Sequence, residues 1–293
     1  MRVEHALGHL VITEELSIAG GGDTTNDLYS FFMETWYADF TARASRRAVT
    51  PEPDWSHDCR LHPAVARSLQ KFQVGESGDG AHLIAKADAA GDPGYAAAVR
   101  LFVAEEQNHA RMLESLLQSG GIPTIGRHWS DTTFVQLRRL MGLRLELMVL
   151  TIAEVVALRY YRALAEGGDD ALLVDVSERI LDDEYHHVPF QCHRLRVGFA
   201  HTSAPVRMAV VQGWRVLARA VAVVVAFDHG SALRATGVTR RAFISDTMRL
   251  FDSATAEVFT SGSATQGLRT QSPTGNQRRS PTRFDAFEDL PSH

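Results

Sequence analysis

The chain has 293 residues, 45% of them apolar and 22% charged, and a net charge of −5. That suffices for a sizeable core, and the absence of a basic stripe with interleaved aromatics argues against nucleic-acid binding. Glu4, His5, His9, Glu14 and Glu15 interrupt any signal-peptide core, and the isolated Cys59 and Cys192 offer no Cys-x-x-Cys metal pattern, so a cytoplasmic protein with reduced thiols is expected.

Helical periodicity dominates the sequence and strand signals are nearly absent, so the expected class is all-α. Residues 1–62 read as an irregular arm ending at Gly20-Gly21-Gly22, then an accessory helix over 26–48. Thr24, Thr25 or Asn26 caps that helix, and its Leu28, Phe31, Phe32, Thr35, Trp36 and Phe40 fall close to one face. Pro51 and Pro53 mark a loop. Residues 63–200 predict a bundle of four helices, over 63–89, 93–118, 131–166 and 170–199. Its hairpin turns fall at Gly91-Asp92-Pro93-Gly94 and Gly167-Gly168-Asp169. Residues 120–130 join the hairpins and reach roughly 36 Å when extended, just enough to carry the chain along the bundle. Pro189 is expected to kink the fourth helix.

Residues 201–260 predict two further helices, near 203–232 and 239–259. Within the first, Val216–Phe227 contains Arg219 and follows Arg215, which makes it too short and too charged to span a bilayer. It reads as a buried core helix, the alternative being an interfacial membrane helix. Over 261–293 Ser, Thr, Gly, Gln, Pro and Arg prevail, and a disordered tail is expected.

One pattern occurs twice. Glu76 is followed thirty residues later by Glu106-x-x-His109, and Glu154 thirty residues later by Glu184-x-x-His187. The second set lies 78 positions after the first without a gap. Gly91 is the midpoint of Glu76 and Glu106, and Asp169 that of Glu154 and Glu184. Each carboxylate therefore lies about 22 Å from its turn, and folding each hairpin brings its pair to one height. On a helix, positions i and i+3 share a face, so each Glu-x-x-His can reach one point. A Glu from each of two helices plus a Glu-x-x-His from each of two others is the ligand set of a dinuclear carboxylate metal site. Four carboxylates and two neutral imidazoles carry a charge of −4, which two divalent ions balance. Oxygen-rich ligation without thiolate suits iron or manganese. Asp183-x-x-His186 is a competing pair one position earlier, but the first repeat has Glu105-x-x-Asn108 there, which favours Glu184 and His187.

The segments Ala104-Glu105-Glu106-Gln107-Asn108-His109 and Asp182-Asp183-Glu184-Tyr185-His186-His187 resemble the ferritin-like di-iron carboxylate superfamily. The likeness covers roughly residues 63–200. It is nearest to the oxygen-activating branch of soluble acyl-carrier-protein desaturases, ribonucleotide reductase small subunits and bacterial multicomponent monooxygenases. The resemblance implies a ferritin-like four-helix bundle with accessory N- and C-terminal helices. It implies two iron ions, with manganese or a mixed pair as variants, held by Glu76, Glu106, His109, Glu154, Glu184 and His187. By the same resemblance Asp183 orients His109, and Glu105 plays the matching part for His187. The implied activity is that of an oxygen-dependent di-iron oxidoreductase acting on a small organic or acyl substrate. An external reductase or ferredoxin would supply electrons, and a homodimer is the implied assembly. The rival readings are a non-catalytic iron-binding or iron-oxidising protein and a membrane-associated quinol-type oxidase. The chain lacks the cysteines of rubrerythrin, and no radical-tyrosine context of the reductase subunit is evident.

Several neighbours have two readings. Tyr160, Tyr161 and Tyr185 read as core filling before redox-active groups. Gly75, Gly78 and Gly80 flank Glu76 at about 1 kcal/mol each in a helix interior, either to open space for a substrate or to allow close packing. His82 and His193 read as ordinary polar residues.

Overall fold

The computed structural model describes residues 24–126 and 142–259, with side chains from Thr35 onward. Among the described residues every regular element is a helix. The expected arm over 1–23, the linker beyond 126, the start of the third bundle helix and the expected tail lie outside the described residues.

The accessory helix α1 spans Thr24–Val49 and lies against the helix carrying the first Glu-x-x-His, α4, Pro93–Ser119. Helix α2, Pro63–Glu76, starts where Pro63 needs no partner for its missing N–H and where His62 Nδ1 accepts from the Ala64 amide at 3.1 Å. Helix α4 starts the same way, with Pro93 in its first turn and Asp92 accepting from the Tyr95 amide at 2.9 Å. Helices α5, Leu143–Gly167, and α6, Ala171–Gly198, form a closely packed hairpin. Asp170 caps α6 through the Leu172 and Leu173 amides, and its other oxygen accepts from the Arg60 amide at 2.9 Å. One carboxylate thus ties the loop before α2 to the second hairpin, and these bonds hold its pKa down at about 2 against burial. Helices α7, Ala204–Asp228, α8, Gly230–Ala235, and α9, Arg240–Phe259, follow. Of these, α9 packs on α5, α6 and α7, and α8 packs on α2.

Three expectations need correction. The helix expected over 63–89 is two helices, because α2 stops at Glu76 and α3 runs from Ala81 to Ala89. Gly80 caps α3 in the left-handed region at φ +63°, and a Cβ there would lie 2.5 Å from Val103 Cγ1. The chain therefore turns at a residue that must be glycine on two counts. Of the helix expected over 131–166, the described part runs from Leu143, and Gly142 before it is extended at ψ 163°, so the element is not one unbroken helix from 131. The apolar stretch Val216–Phe227 is not a buried core helix: on α7 only Trp214, Ala218, Ala222 and Ala226 are buried. The whole 25-residue helix, unlike the stretch alone, is long and apolar enough to cross a membrane by length and composition. In contrast, α6 continues through Pro189 to Gly198.

A polar strand of contacts fastens α2 to the end of α7. Ser68 Oγ lies 2.7 Å from both Tyr160 Oη and His229 Nδ1, and Lys71 Nζ donates to Asp228 at 2.7 Å. Phe72 stacks on Tyr160 at a centroid distance of 3.7 Å. These contacts hold α2 in place right up to Glu76, its last residue.

Gly80→Ala should destabilise the protein by about 1–3 kcal/mol, from left-handed strain and overpacking against Val103. Gly78→Ala, whose Cβ would meet nothing within 4 Å, should stay within about 1 kcal/mol of the parent. Urea unfolding of the two variants measures the difference.

Candidate metal centre

The six residues of the doubled motif converge in the space between α2, α4, α5 and α6. Ligand atoms of Glu106, Glu154, Glu184 and His187 lie within 4.8 Å of one another, as do those of Glu76, His109 and Glu184. Glu184 belongs to both groups. Its Oε1 lies 3.6 Å from His109 Nδ1 and its Oε2 lies 3.6 Å from His187 Nδ1. Glu106 Oε1 sits between the same two rings, 3.6 Å from His109 Nδ1 and 3.1 Å from His187 Nδ1. The turn-midpoint geometry expected from the sequence is therefore met by both hairpins, even though α2 ends at its carboxylate. His186 stays outside, with its Nε2 3.1 Å from Arg43 Nη1. His82 is exposed, and neither it nor His193 joins either group.

Burial is nearly complete. His109, His187 and Glu184 have no exposed surface and Glu154 has 4%, whereas the Glu106 side chain keeps 21%. Glu106 therefore marks the side from which the cluster can be approached. Glu76, at 9%, is the next most accessible member, and Gly75 and Gly78 beside it leave open space where a Cβ would stand. Of the three glycines, Gly80 serves close packing against Val103, while Gly75 and Gly78 are solvent-exposed.

Each histidine turns one nitrogen inward and the other to a carboxylate. His109 Nε2 lies 3.1 Å from Asp183 Oδ2, and His187 Nε2 lies 3.0 Å from Glu105 Oε2. A carboxylate that accepts the Nε2 proton leaves Nδ1 as the lone-pair nitrogen facing the cluster. Sequence reasoning missed what holds those two carboxylates. Arg47 donates to both, to Asp183 Oδ1 at 2.8 Å and to Glu105 Oε1, and Arg43 donates to Asp183 Oδ1 at 2.6 Å. Asp183 is held well below the ordinary range, since hydrogen bonding to His109 and nearby positive charge outweigh burial. Glu105 is lowered likewise, burial being outweighed by His187 and then Arg47. The missed signal was the spacing of Trp36, Phe40, Arg43 and Arg47, which puts both arginines on the apolar stripe of α1.

Three further contacts were not foreseen. Gln191 Nε2 donates to Glu154 Oε1 at 2.7 Å, and Thr151 Oγ1 donates to Gln191 Oε1 at 3.0 Å. Tyr161, fully buried as expected of core filling, also donates to Glu76 Oε1 at 3.0 Å. Phe102 meets the His187 ring at 4.7 Å between centroids and Phe40 at 6.3 Å, so apolar walls flank the cluster.

The inner atoms lack partners. Glu106 Oε1, both oxygens of Glu184 and Nδ1 of both histidines are buried without a hydrogen bond. Burial, then the charge of Glu106, pushes Glu76 well above the ordinary carboxylate range, and burial, then Glu154, does the same to Glu184. Glu106 is raised for the same reasons, by burial and then Glu154. Burial opposes a charge on His187, but its bond to Glu105 and the nearness of the Glu106, Glu154 and Glu184 carboxylates overcome it and raise its pKa well above the usual value. Burial and mutual repulsion thus favour the protonated forms of Glu76, Glu106 and Glu184. Converging oxygens and two imidazole lone pairs fit hard or borderline divalent cations, and the donor set can hold two. Compared with known proteins, the chain matches no protein-family model and no curated protein.

Raised pKa values set the pH dependence of the metal-free chain. Glu76, Glu106, Glu184 and His187 bind more protons folded than unfolded, so their stabilisation is full at low pH and is lost as pH rises through the folded values. Above the unfolded carboxylate range, from about pH 5 upward, the metal-free chain should therefore lose stability as pH rises. Urea midpoints in chelator measure this, and adding a divalent metal should flatten the slope. Arg47→Ala should cost about 1–3 kcal/mol, because Glu105 and Asp183 lose a shared cation that is itself partly solvated.

Proposed function

We propose that this chain is a ferritin-like di-iron carboxylate protein and an oxygen-dependent oxidoreductase acting on a small organic or acyl substrate. One observation carries the reading. Two buried histidines aim Nδ1 into a shared carboxylate cluster whose own inner atoms have no hydrogen-bond partners. Glu76 and His109 would hold one iron and Glu154 and His187 the other, with Glu106 and Glu184 between them.

When bound, two ferrous ions supply the electrons and Lewis acidity that oxygen reduction requires. The protein's residues have separate tasks. Asp183 and Glu105 fix the histidine tautomers, and Arg47 keeps both carboxylates ionised and in place. Gln191 locks Glu154 in one orientation, and Tyr161 does so for Glu76. Phe40 and Phe102 exclude water from the His187 side. Oxygen and substrate would enter past Glu106, the most accessible of the six. No flavin, haem or iron–sulfur motif is evident in the sequence, so the reading calls for an electron donor such as a ferredoxin or reductase.

Metal analysis of purified protein is expected to give about two ions per chain. Glu106→Ala and His187→Ala should each remove at least one of them while far-UV circular dichroism stays unchanged. Full stoichiometry in both variants would refute the ligand assignment. Oxygen uptake by the ferrous protein separates the two iron readings. A catalyst consumes oxygen continuously with a reductant and a substrate, whereas an iron-oxidising protein stops once its ferrous iron is spent.

A further inference from the structure

Helix α7 leaves most of its apolar surface uncovered. Its inner side is narrow: Trp214, Ala218, Ala222 and Ala226 are buried, with Trp214 Nε1 donating to the Met148 carbonyl at 2.8 Å. On the other side Val206, Val216 and Phe227 keep 52%, 70% and 63% of their surface. Ala209, Gly213 and Ala220 are exposed as well, and Val223 is half-buried. These positions are ordered. Val206, Ala209, Gly213, Val216, Ala220, Val223 and Phe227 recur at alternating steps of three and four, an unbroken seam of three heptads without a polar residue.

We propose that a second copy of this chain covers the seam, α7 packing on α7 antiparallel about a two-fold axis beside Ala218. Side-chain sizes select this register. Ala209 faces Phe227, Gly213 faces Val223 and Val216 faces Ala220 of the other copy, and symmetry repeats each pair. Every layer joins a small residue to a larger one, which is how facing helices interdigitate. A parallel pair would set Gly213 on Gly213 and Phe227 on Phe227, leaving a gap at one level and a collision at another. Gly213 has no role within one copy, since a Cβ there would meet nothing within 4 Å. In mid-helix it costs about 1 kcal/mol, and the close approach of a facing helix explains it.

The seam is about 33 Å long. With Leu217 and Val224 exposed along one edge, such a helix pair buries on the order of 600 Å² per copy, at the lower bound of standard interfaces. A lipid surface fits less well. Interfacial helices present bulky Trp, Phe and Leu, whereas Ala209, Gly213 and Ala220 offer lipid little area. Arg219 borders the seam and meets its own counterpart near the axis. Salt should therefore tighten the pair, while it weakens attraction to anionic lipid.

Sedimentation equilibrium of the full chain tests the pairing independently of any metal. The expected mass is twice 32.3 kDa, held or tightened when salt rises from about 0.1 M to about 0.5 M. Val216→Glu should give a monomer with unchanged circular dichroism, whose melting temperature, unlike the parent's, does not depend on protein concentration. Under mild oxidation, chains with Ala209→Cys mixed with chains with Phe227→Cys should form a disulfide-linked pair, and neither should link to itself. In the antiparallel register each such position lies about 27 Å from its own copy, beyond disulfide reach. Native Cys59 and Cys192 are buried and do not compete. A monomeric parent protein at micromolar concentration would overturn the proposal, as would a dimer indifferent to Val216→Glu. So would self-linking of Ala209→Cys, or a monomer that instead co-sediments with phosphatidylcholine–phosphatidylserine vesicles.

Discussion

The structure depends on how a concentrated negative charge is kept inside a helical core. Six carboxylates, those of Glu76, Glu105, Glu106, Glu154, Asp183 and Glu184, surround two buried imidazoles. Burying even one unpaired carboxylate is costly, so each needs a cation, a proton or several donors. The outer two have their cation from outside the four helices, because Arg43 and Arg47 reach down from α1. The inner four have none, and their pKa values divide. Glu76, Glu106 and Glu184 rise, while Glu154 stays low because His187 and Gln191 outweigh its burial. This division between an arginine-satisfied shell and an inner set that must share protons or bind cations makes the cluster a candidate metal centre. A merely acidic surface would show no such division.

That account gives α1 a purpose that its sequence did not announce. Its Trp36 and Phe40 fill space against Phe190, and the next two turns of the same stripe carry arginines. An arginine on an apolar helix face has a long stem that packs and a planar head that can bridge two carboxylates at once. Arg47 does so between the residues preceding the two motif glutamates, Glu105 and Asp183. The accessory helix is thus a lid over the back of both histidines, and its docking and their tautomers depend on each other.

What was legible in the sequence follows from what is local and periodic. The six clustered residues could be found because i, i+3 spacing fixes a helix face and turn midpoints fix height. Neither needs a knowledge of side-chain packing. The acidic neighbours Glu105 and Asp183 could be assigned only by resemblance, and each lies within hydrogen-bond distance of the histidine named for it. Helix ends were less legible. The break after Glu76 depends on a left-handed Gly80 pressed against Val103, and Val103 is distant in sequence. The exposure of α7 was misread because apolar composition does not say which element covers it: α9 covers one side only. Arg43 and Arg47 were missed for the same reason, since their partners lie more than fifty residues away.

The doubled motif is symmetric in sequence and unequal in space. Glu154 sits in the middle of α5, held by Gln191, which Thr151 holds in turn. Glu76 is the last residue of α2, where the helix dipole presents its negative end and opposes a carboxylate. It has the Tyr161 hydroxyl as its hydrogen-bond donor and glycines on either side. Of the two terminal carboxylates, Glu76 is therefore the one whose orientation is least constrained. It also stands beside Glu106, where the cluster is most open. The Glu154 side is thus held by a relay of two side chains in mid-helix, and the Glu76 side by a single hydroxyl at a helix end. The two histidines show no such inequality, each being clamped from behind by a carboxylate, Asp183 or Glu105, that Arg47 holds in turn, so the asymmetry of the cluster lies in its carboxylates.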